Sequence, residues 1–277
     1  MSFETLSSDF YGYENALTDQ EKETIVKLRA FLDKEVRPIA NDLWAKAEFF
    51  DRDVVVKGLA DLGLFGLPWA ETQQFPNSAV FRGWVALELA RVDASAATLV
   101  GMQNGLVMGS IGVAGSQEQR DEWLPKFASG ELLGAFGLTE PLSGSDTAQG
   151  LQTVAKRDGD NWIINGAKRW IGNGSISDVT IIWARDEEDN QVKGFIVPTS
   201  TPGYSATRIE NKMALRIVQN ADIVLENVVV PEANRLQKSQ SFRETAAVLR
   251  LTRAEVAWAA VGNSIGAYEA AVQYAND

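Results

Sequence analysis

The chain contains neither cysteine nor histidine. Without cysteine there is no disulfide and no thiol nucleophile. Without histidine the commonest metal ligand and the commonest general base are both missing, so no metal site is expected and acid–base chemistry falls to Asp, Glu, Lys or Tyr. Positive charge is also short. With 26 basic against 37 acidic residues and a net charge of −11, nucleic acid is not an expected partner. No uninterrupted apolar run comes near the ~20 residues of a membrane span, and MSFETLSSDF lacks the basic and apolar regions of a signal peptide, so a cytoplasmic location is expected. What is present is the composition of an ordinary globular protein, 45% hydrophobic and 23% charged, in a chain of 277 residues. That length suffices for a sizeable core and two domains.

Three patterns follow one another along the chain. From Asp19 to about Gly130 the spacing is helical: Ile25, Leu28, Leu32 and Val36 form an amphipathic stripe. Thr18 with Glu21 reads as a capping box, Pro38 as a kink or restart, and Ser116 as an N-cap for a helix ending at Gly130. Helices are also expected at Ala79–Arg91 and Ser95–Val113, the latter apolar almost all round and so buried. From Glu131 to Arg235 the pattern turns to strands, with Asp158-Gly159 and Asn165-Gly166 as hairpin signals and a further hairpin over 179–198. A compact antiparallel sheet is expected there. From Ser241 onward one long Ala-rich helix is expected, narrow at Gly262 and Gly266, so that a neighbouring helix can approach closely.

The most informative segment is GAFGLTEPLSGSD, residues 134–146. An apolar strand ends in a Thr139-Glu140-Pro141 turn and a loop carrying Ser143, Gly144 and Ser145. Such a loop can floor a flat, phosphate-bearing cofactor, because bare backbone and hydroxyls satisfy an anion. Read alone, it is better taken as ordinary turn chemistry.

Helices, then strands, then helices, with this segment at the first junction, closely resemble the acyl-CoA dehydrogenase family, nearest its glutaryl-CoA dehydrogenase branch. ELARVDASAATLVGMQNGLVM (88–108), GSQEQRDEWLPKFASGELLGAFGLTEP (115–141), INGAKRWIGNG (164–174), VPEANRL (230–236) and LTRAEVAWAAVGNSIGAYEAAVQYA (251–275) carry the likeness in order. The resemblance implies an α+β fold with an N-terminal helical domain (1–130), a middle antiparallel β domain (131–236) and the first helix of a C-terminal helical bundle (237–277). It implies FAD as cofactor, an acyl-CoA substrate, an electron-transfer flavoprotein as partner, a homodimer or homotetramer, and a place in fatty acid or amino acid catabolism.

Site roles come by the same route. Phe136, Leu138, Thr139, Ser143, Gly144 and Ser145 would run along the flavin, Ser145 also near the CoA chain. Trp170, Ile171 and Gly172 would continue its wall, although read alone Trp170 is better taken as a sheet-core aromatic. Ala97, Thr98, Arg250 and Arg253 would meet the substrate, Arg253 being otherwise an exposed helix charge. Arg216 reads as a solvated loop charge.

Three departures matter. Gly172 stands where the family often has a Thr whose hydroxyl bonds the reactive edge of the flavin. Ala97 stands where the glutaryl branch has the Arg that pairs with a distal carboxylate, so a neutral short or branched acyl chain is expected instead of glutaryl. Finally, YAND stops one residue before a family R-x-Q-F-G run, so a truncated or incompletely represented chain is expected, with no catalytic residue among these 277 and the base lying beyond Asp277. Thr252 occupies the position where some relatives carry that base. Glu255, nearly one turn on, is a fallback base at best and reads rather as a solvated helix charge.

The implied reaction removes an α proton from an acyl thioester and passes a hydride from the β carbon to flavin N5. Two other readings fit the same fold: a flavin- or acyl-CoA-binding protein without catalysis, and an oxygen-using flavin oxidase or monooxygenase.

Overall fold

The computed structural model describes residues 3–277. Its first part is helical. Helix α1 (Asp19–Phe31) opens on the capping box: Thr18 Oγ1 accepts from the Glu21 N–H at 3.2 Å, and Glu21 accepts from the Thr18 N–H at 2.8 Å. Glu21 also accepts from the Ser78 N–H at 2.7 Å, tying α1 to the start of the next long helix. Pro38 does mark a restart. The helix widens into a π-helical turn over Leu32–Val36, and α2 (Arg37–Lys46) begins with Pro38 in its first turn, where no N–H is needed. After the short α3 (Lys57–Asp61) comes α4 (Ala79–Val92), N-capped by Ser78.

The buried helix expected at 95–113 is interrupted. It runs as α5 (Ala94–Gly101), a π-helical turn (Met102–Val107) and α6 (Met108–Ala114). Side chains in that turn serve neighbouring backbone. Gln103 donates to Leu132 O at 2.8 Å and accepts from the Gly134 N–H at 3.1 Å, fixing where the first strand starts. By length and composition Ala94–Ala114 is also apolar enough to cross a membrane, which corrects the expectation that no stretch is; most of it is buried inside the fold as a core helix. Helix α7 (Gln117–Ala128) closes this part, capped by Ser116, and a single turn, α8 (Thr147–Gly150), follows in the next.

The strands are β1 (Gly134–Gly137), β2 (Val154–Asp158), β3 (Asn161–Ile171), β4 (Val179–Asp186), β5 (Val192–Pro198), β6 (Tyr204–Arg208) and β7 (Ala221–Pro231). They form one seven-stranded sheet. The expectation of a purely antiparallel sheet is corrected: β1 and β2 both run parallel to β4, lying end to end along one edge of it, with β5 antiparallel on the other. Asp158-Gly159 is the β2–β3 turn as expected, but Asn165-Gly166 is not a hairpin. It lies inside β3 as a bulge opposite β7, where Asn165 Oδ1 accepts the Asn227 N–H at 2.8 Å.

Helix α9 (Phe242–Asn276), capped by Ser241 and Glu244, crosses α4 and the Ala94–Ala114 stretch. With the helical first part and the mostly antiparallel sheet, it completes an α+β chain. Its narrow seam has its neighbour within the chain. A Cβ on Gly262 would collide with the Leu87 carbonyl, and one on Gly266 with that of Arg91. Trp258 lies over Gly83, and Glu269 pairs with Arg91 at 2.7 Å. Away from this seam α9 leaves Val256, Val261, Tyr268 and Tyr274 exposed. Because the seam has no spare room, Gly262→Val must separate α9 from α4. A loss of about 1–3 kcal/mol in urea unfolding is expected, as for other overpacked contacts; unchanged stability would mean the helices do not touch there.

Candidate active site

Where α4, α5, the π-helical turn, the end of β3 and α9 meet, they line an open cavity of about 500 Å³. Most of its wall is aliphatic: Val85, Leu89, Ala97, Val100, Val256 and Ala260. The neutral polar side chains on it are largely committed elsewhere. Asn104 accepts from the Gly66 N–H at 2.6 Å and donates to Leu64 O at 2.7 Å. The Thr98 and Thr252 hydroxyls donate to carbonyls of their own helices, Ala94 O and Leu249 O. Asn220 donates to Trp170 O at 3.0 Å and accepts from Lys212 at 2.6 Å.

Two charged side chains line the cavity, Arg82 and Glu255. Arg82 uses Nη1 on the carbonyl and side chain of Asn77, at 3.2 and 2.9 Å. Glu255 lies with Oε2 against the bare Gly101 and Gly105, 3.7 Å from where a Cβ of either would stand. Burial pushes its carboxyl up to about 7, against the opposing pull of Arg82. This corrects the reading of Glu255 as a solvated charge. Arg82 escaped the sequence reading, though a signal existed: it shares a helical face with Val85, Ala86 and Leu89.

Next to the cavity stands the wall expected for a cofactor. The end of β1 is fastened to β3 by the Arg169 N–H donating to Thr139 O at 2.8 Å. Glu140, read as a turn residue, is instead buried and paired with the fully buried Lys168 at 2.8 Å. Lys168 also donates to Leu138 O and Trp183 O, and Glu140 accepts from the Gln152 and Thr153 N–H groups. Directly after Lys168 the strand bulges, and Trp170 takes a left-handed φ of 62°. A bulky residue there is strained backbone. Its ring is half exposed, with the Arg169 guanidinium 5.5 Å from the centroid. Gly172 then lines the cavity, with the Met102 sulfur 2.9 Å from where a Cβ would stand.

The structure thus brings Gly172, Ala97, Thr98 and Thr252 to one cavity. Leu138 and Thr139 adjoin Trp170 through the Arg169 bond. Other expected site residues lie apart. Phe136 is buried with its ring 6.2 Å from Trp183, and Ile171 is buried in the sheet core. The buried Ser143 hydroxyl donates to Asp146 O, while Gly144 and Ser145 are exposed. Arg250 and Arg253 are exposed on α9 and do not line the cavity. Arg216 is not a solvated charge: it donates to Trp44 O at 2.8 Å and Ala45 O at 3.0 Å, fastening its loop to the end of α2.

This fold and cavity have known counterparts. Residues 18–131 match the acyl-CoA dehydrogenase N-terminal domain, and residues 135–228 match the middle domain. The chain is 32% identical over 254 residues to the mitochondrial short-chain specific acyl-CoA dehydrogenase of Mus musculus, covering 90% of this chain and 61% of that protein. It is 30% identical over 263 residues to the short-chain specific acyl-CoA dehydrogenase of Clostridium acetobutylicum, covering 93% and 69%. Its fold superimposes on a glutaryl-CoA dehydrogenase from Mycobacterium smegmatis in complex with FADH2, with a TM-score of 0.89 and 33% identity, over 96% of this chain and 68% of that one. The chain belongs to the acyl-CoA dehydrogenase family. It spans about three fifths of the length of the mouse relative.

The Glu255 environment has a measurable consequence. Its folded carboxyl titrates near 7 against an ordinary 4.5, so between those values the folded state holds the extra proton. Stability therefore falls as pH rises from about 4.5 to 7 on account of this group. Glu255→Gln should remove that slope in urea unfolding, and Arg82→Gln should push the carboxyl higher in NMR titration. A wild-type carboxyl titrating at its ordinary value would refute the burial.

Proposed function

We propose that the protein dehydrogenates an acyl-CoA thioester across its α,β bond, with FAD as acceptor and an electron-transfer flavoprotein taking the electrons onward. The observation that carries this reading is the convergence at one cavity of Gly172, expected at the flavin edge, with Ala97 and Thr98, expected at the acyl chain. The residues present fit a flat polar-edged ring. Trp170 offers a half-exposed aromatic surface at a strained bulge. In the turn after Gly172, the Asn173 side-chain N–H₂ and the Ser175 hydroxyl are buried without a partner among the described residues.

In this reading Leu138, Thr139, Trp170 and Gly172 hold the flavin, with the Gly172 N–H in place of the absent Thr hydroxyl. When bound, FAD supplies the hydride acceptor for the β carbon. The aliphatic wall excludes water from the reacting carbons, which strengthens every charge interaction inside. Ala97 and Thr98 border the acyl chain, and no cation at position 97 meets a distal carboxylate. The role of proton acceptor belongs, as the resemblance implies, to a Glu outside this sequence.

Purified full-length protein is expected to gain flavin absorbance with FAD and to lose tryptophan fluorescence. Trp170→Ala should weaken binding several-fold, the equivalent of about 0.5–1.5 kcal/mol of ring contact; a protein that takes up no flavin sinks the reading. The exposed apolar residues of α9 favour a homodimer or homotetramer, so light scattering should report a multiple of the chain mass. A monodisperse monomer at micromolar concentration would contradict it.

A further inference from the structure

Arg82 and Glu255 are of opposite sign, face the same cavity, and are its charged side chains among the described residues. Resting on the reading of this cavity as the acyl pocket, we infer that they act together as a selectivity device: Glu255 compensates the guanidinium that a carboxylate-ended acyl chain would need, so the pocket takes neutral chains.

Arg82 has Nη1 anchored on Asn77, while Nε and Nη2 have no hydrogen bond to another described residue. A guanidinium so presented is a natural receptor for a carboxylate. Glu255 has no hydrogen-bond partner among the described residues, and its charge is coupled to that of Arg82. An incoming carboxylate would gain Arg82 but meet Glu255, and bringing two like charges into an aliphatic cavity is costly. An alkyl chain meets neither problem. The other elements around Glu255 add no counter-charge. Gly101 and Gly105 are bare, Ala97 and Thr98 are uncharged, and Asn263 is neutral. The nearest further cations, Lys212 and Arg216, are spent on carbonyls of their own loop and of α2. When Glu255 takes up a proton, Arg82 is left free to receive a carboxylate.

With Ala97 uncharged and Arg82 compensated by Glu255, the cavity offers no net cation to a distal carboxylate. Arg250, exposed on α9, does not supply one either.

The test compares valeryl-CoA with glutaryl-CoA, which share the CoA group and the five-carbon acyl length, by calorimetric titration of the purified protein at pH 8 and pH 6. At pH 8 the wild type should bind valeryl-CoA about tenfold tighter or more, and the gap should narrow several-fold at pH 6. Glu255→Gln should close most of the gap at pH 8 and abolish its pH dependence. Adding Arg82→Gln to that variant should reverse the gain for glutaryl-CoA. If valeryl-CoA binds but the ratio ignores both pH and Glu255→Gln, the pair has no such role and the acyl-pocket reading stands. If neither thioester binds, the pocket reading itself fails and this inference with it.

Discussion

The candidate site depends first on the buried pair of Lys168 and Glu140. Burial lowers the Lys168 ammonium to about 8, even against the raising pull of the Glu140 carboxylate at 2.8 Å. Burial would raise Glu140, but Lys168 and two backbone N–H groups hold it below its ordinary value. Such a pair adds little net stability, yet losing one partner strands a charge at a cost of roughly 3–5 kcal/mol. Its effect is therefore positional. Through Leu138 O, Trp183 O and the Gln152–Thr153 backbone it fixes the end of β1, the middle of β4 and the start of β2 to one point on β3. Trp170 lies two residues further along that strand, so its strained backbone is carried by a rigid neighbour.

The second constraint is steric. Helix α9 reaches the cavity only because glycines thin both sides of its contacts, Gly262 and Gly266 toward α4 and Gly105 toward Thr252. The same closeness that lets Thr252 nest at Gly105 carries Glu255, three residues on, out of solvent and against Gly101. A wider seam would leave that carboxyl in water at its ordinary acidity. The charge state of the cavity is thus set by backbone-to-backbone distance, and not by any hydrogen bond to Glu255.

Features decided by neighbours in the chain were legible in the sequence. The caps at Thr18 and Ser116, the restart at Pro38 and the Asp158-Gly159 turn all formed where their local chemistry placed them. Features decided by distant partners were not. Asn165-Gly166 has the letters of a tight turn, but its Asn bonds the backbone of β7, 62 residues away. Glu140 reads as a turn residue until Lys168 arrives 28 positions later. Glu255 and Arg216 read as solvated charges because nothing local reveals the glycine wall or the end of α2 that covers them. The family likeness placed Ala97, Thr98 and Gly172 together, yet it was silent on Arg82.

A cavity this apolar also needs a reason to stay open, and the loop between β6 and β7 supplies one. Lys212 gathers Leu215 O, Val218 O and Asn220 Oδ1, folding the loop around a single ammonium. Asn220 passes the constraint to Trp170 O, and Arg216 fastens the loop to α2. Leu215 and Val218 are held on the cavity wall as a result. Burial and the nearby Arg208 and Arg216 charges all depress the Lys212 ammonium, so the loop is held by a cation in an unfavourable place. That arrangement is stable because three oxygens surround it. The strained Trp170 and the cavity wall therefore share one support, in Asn220.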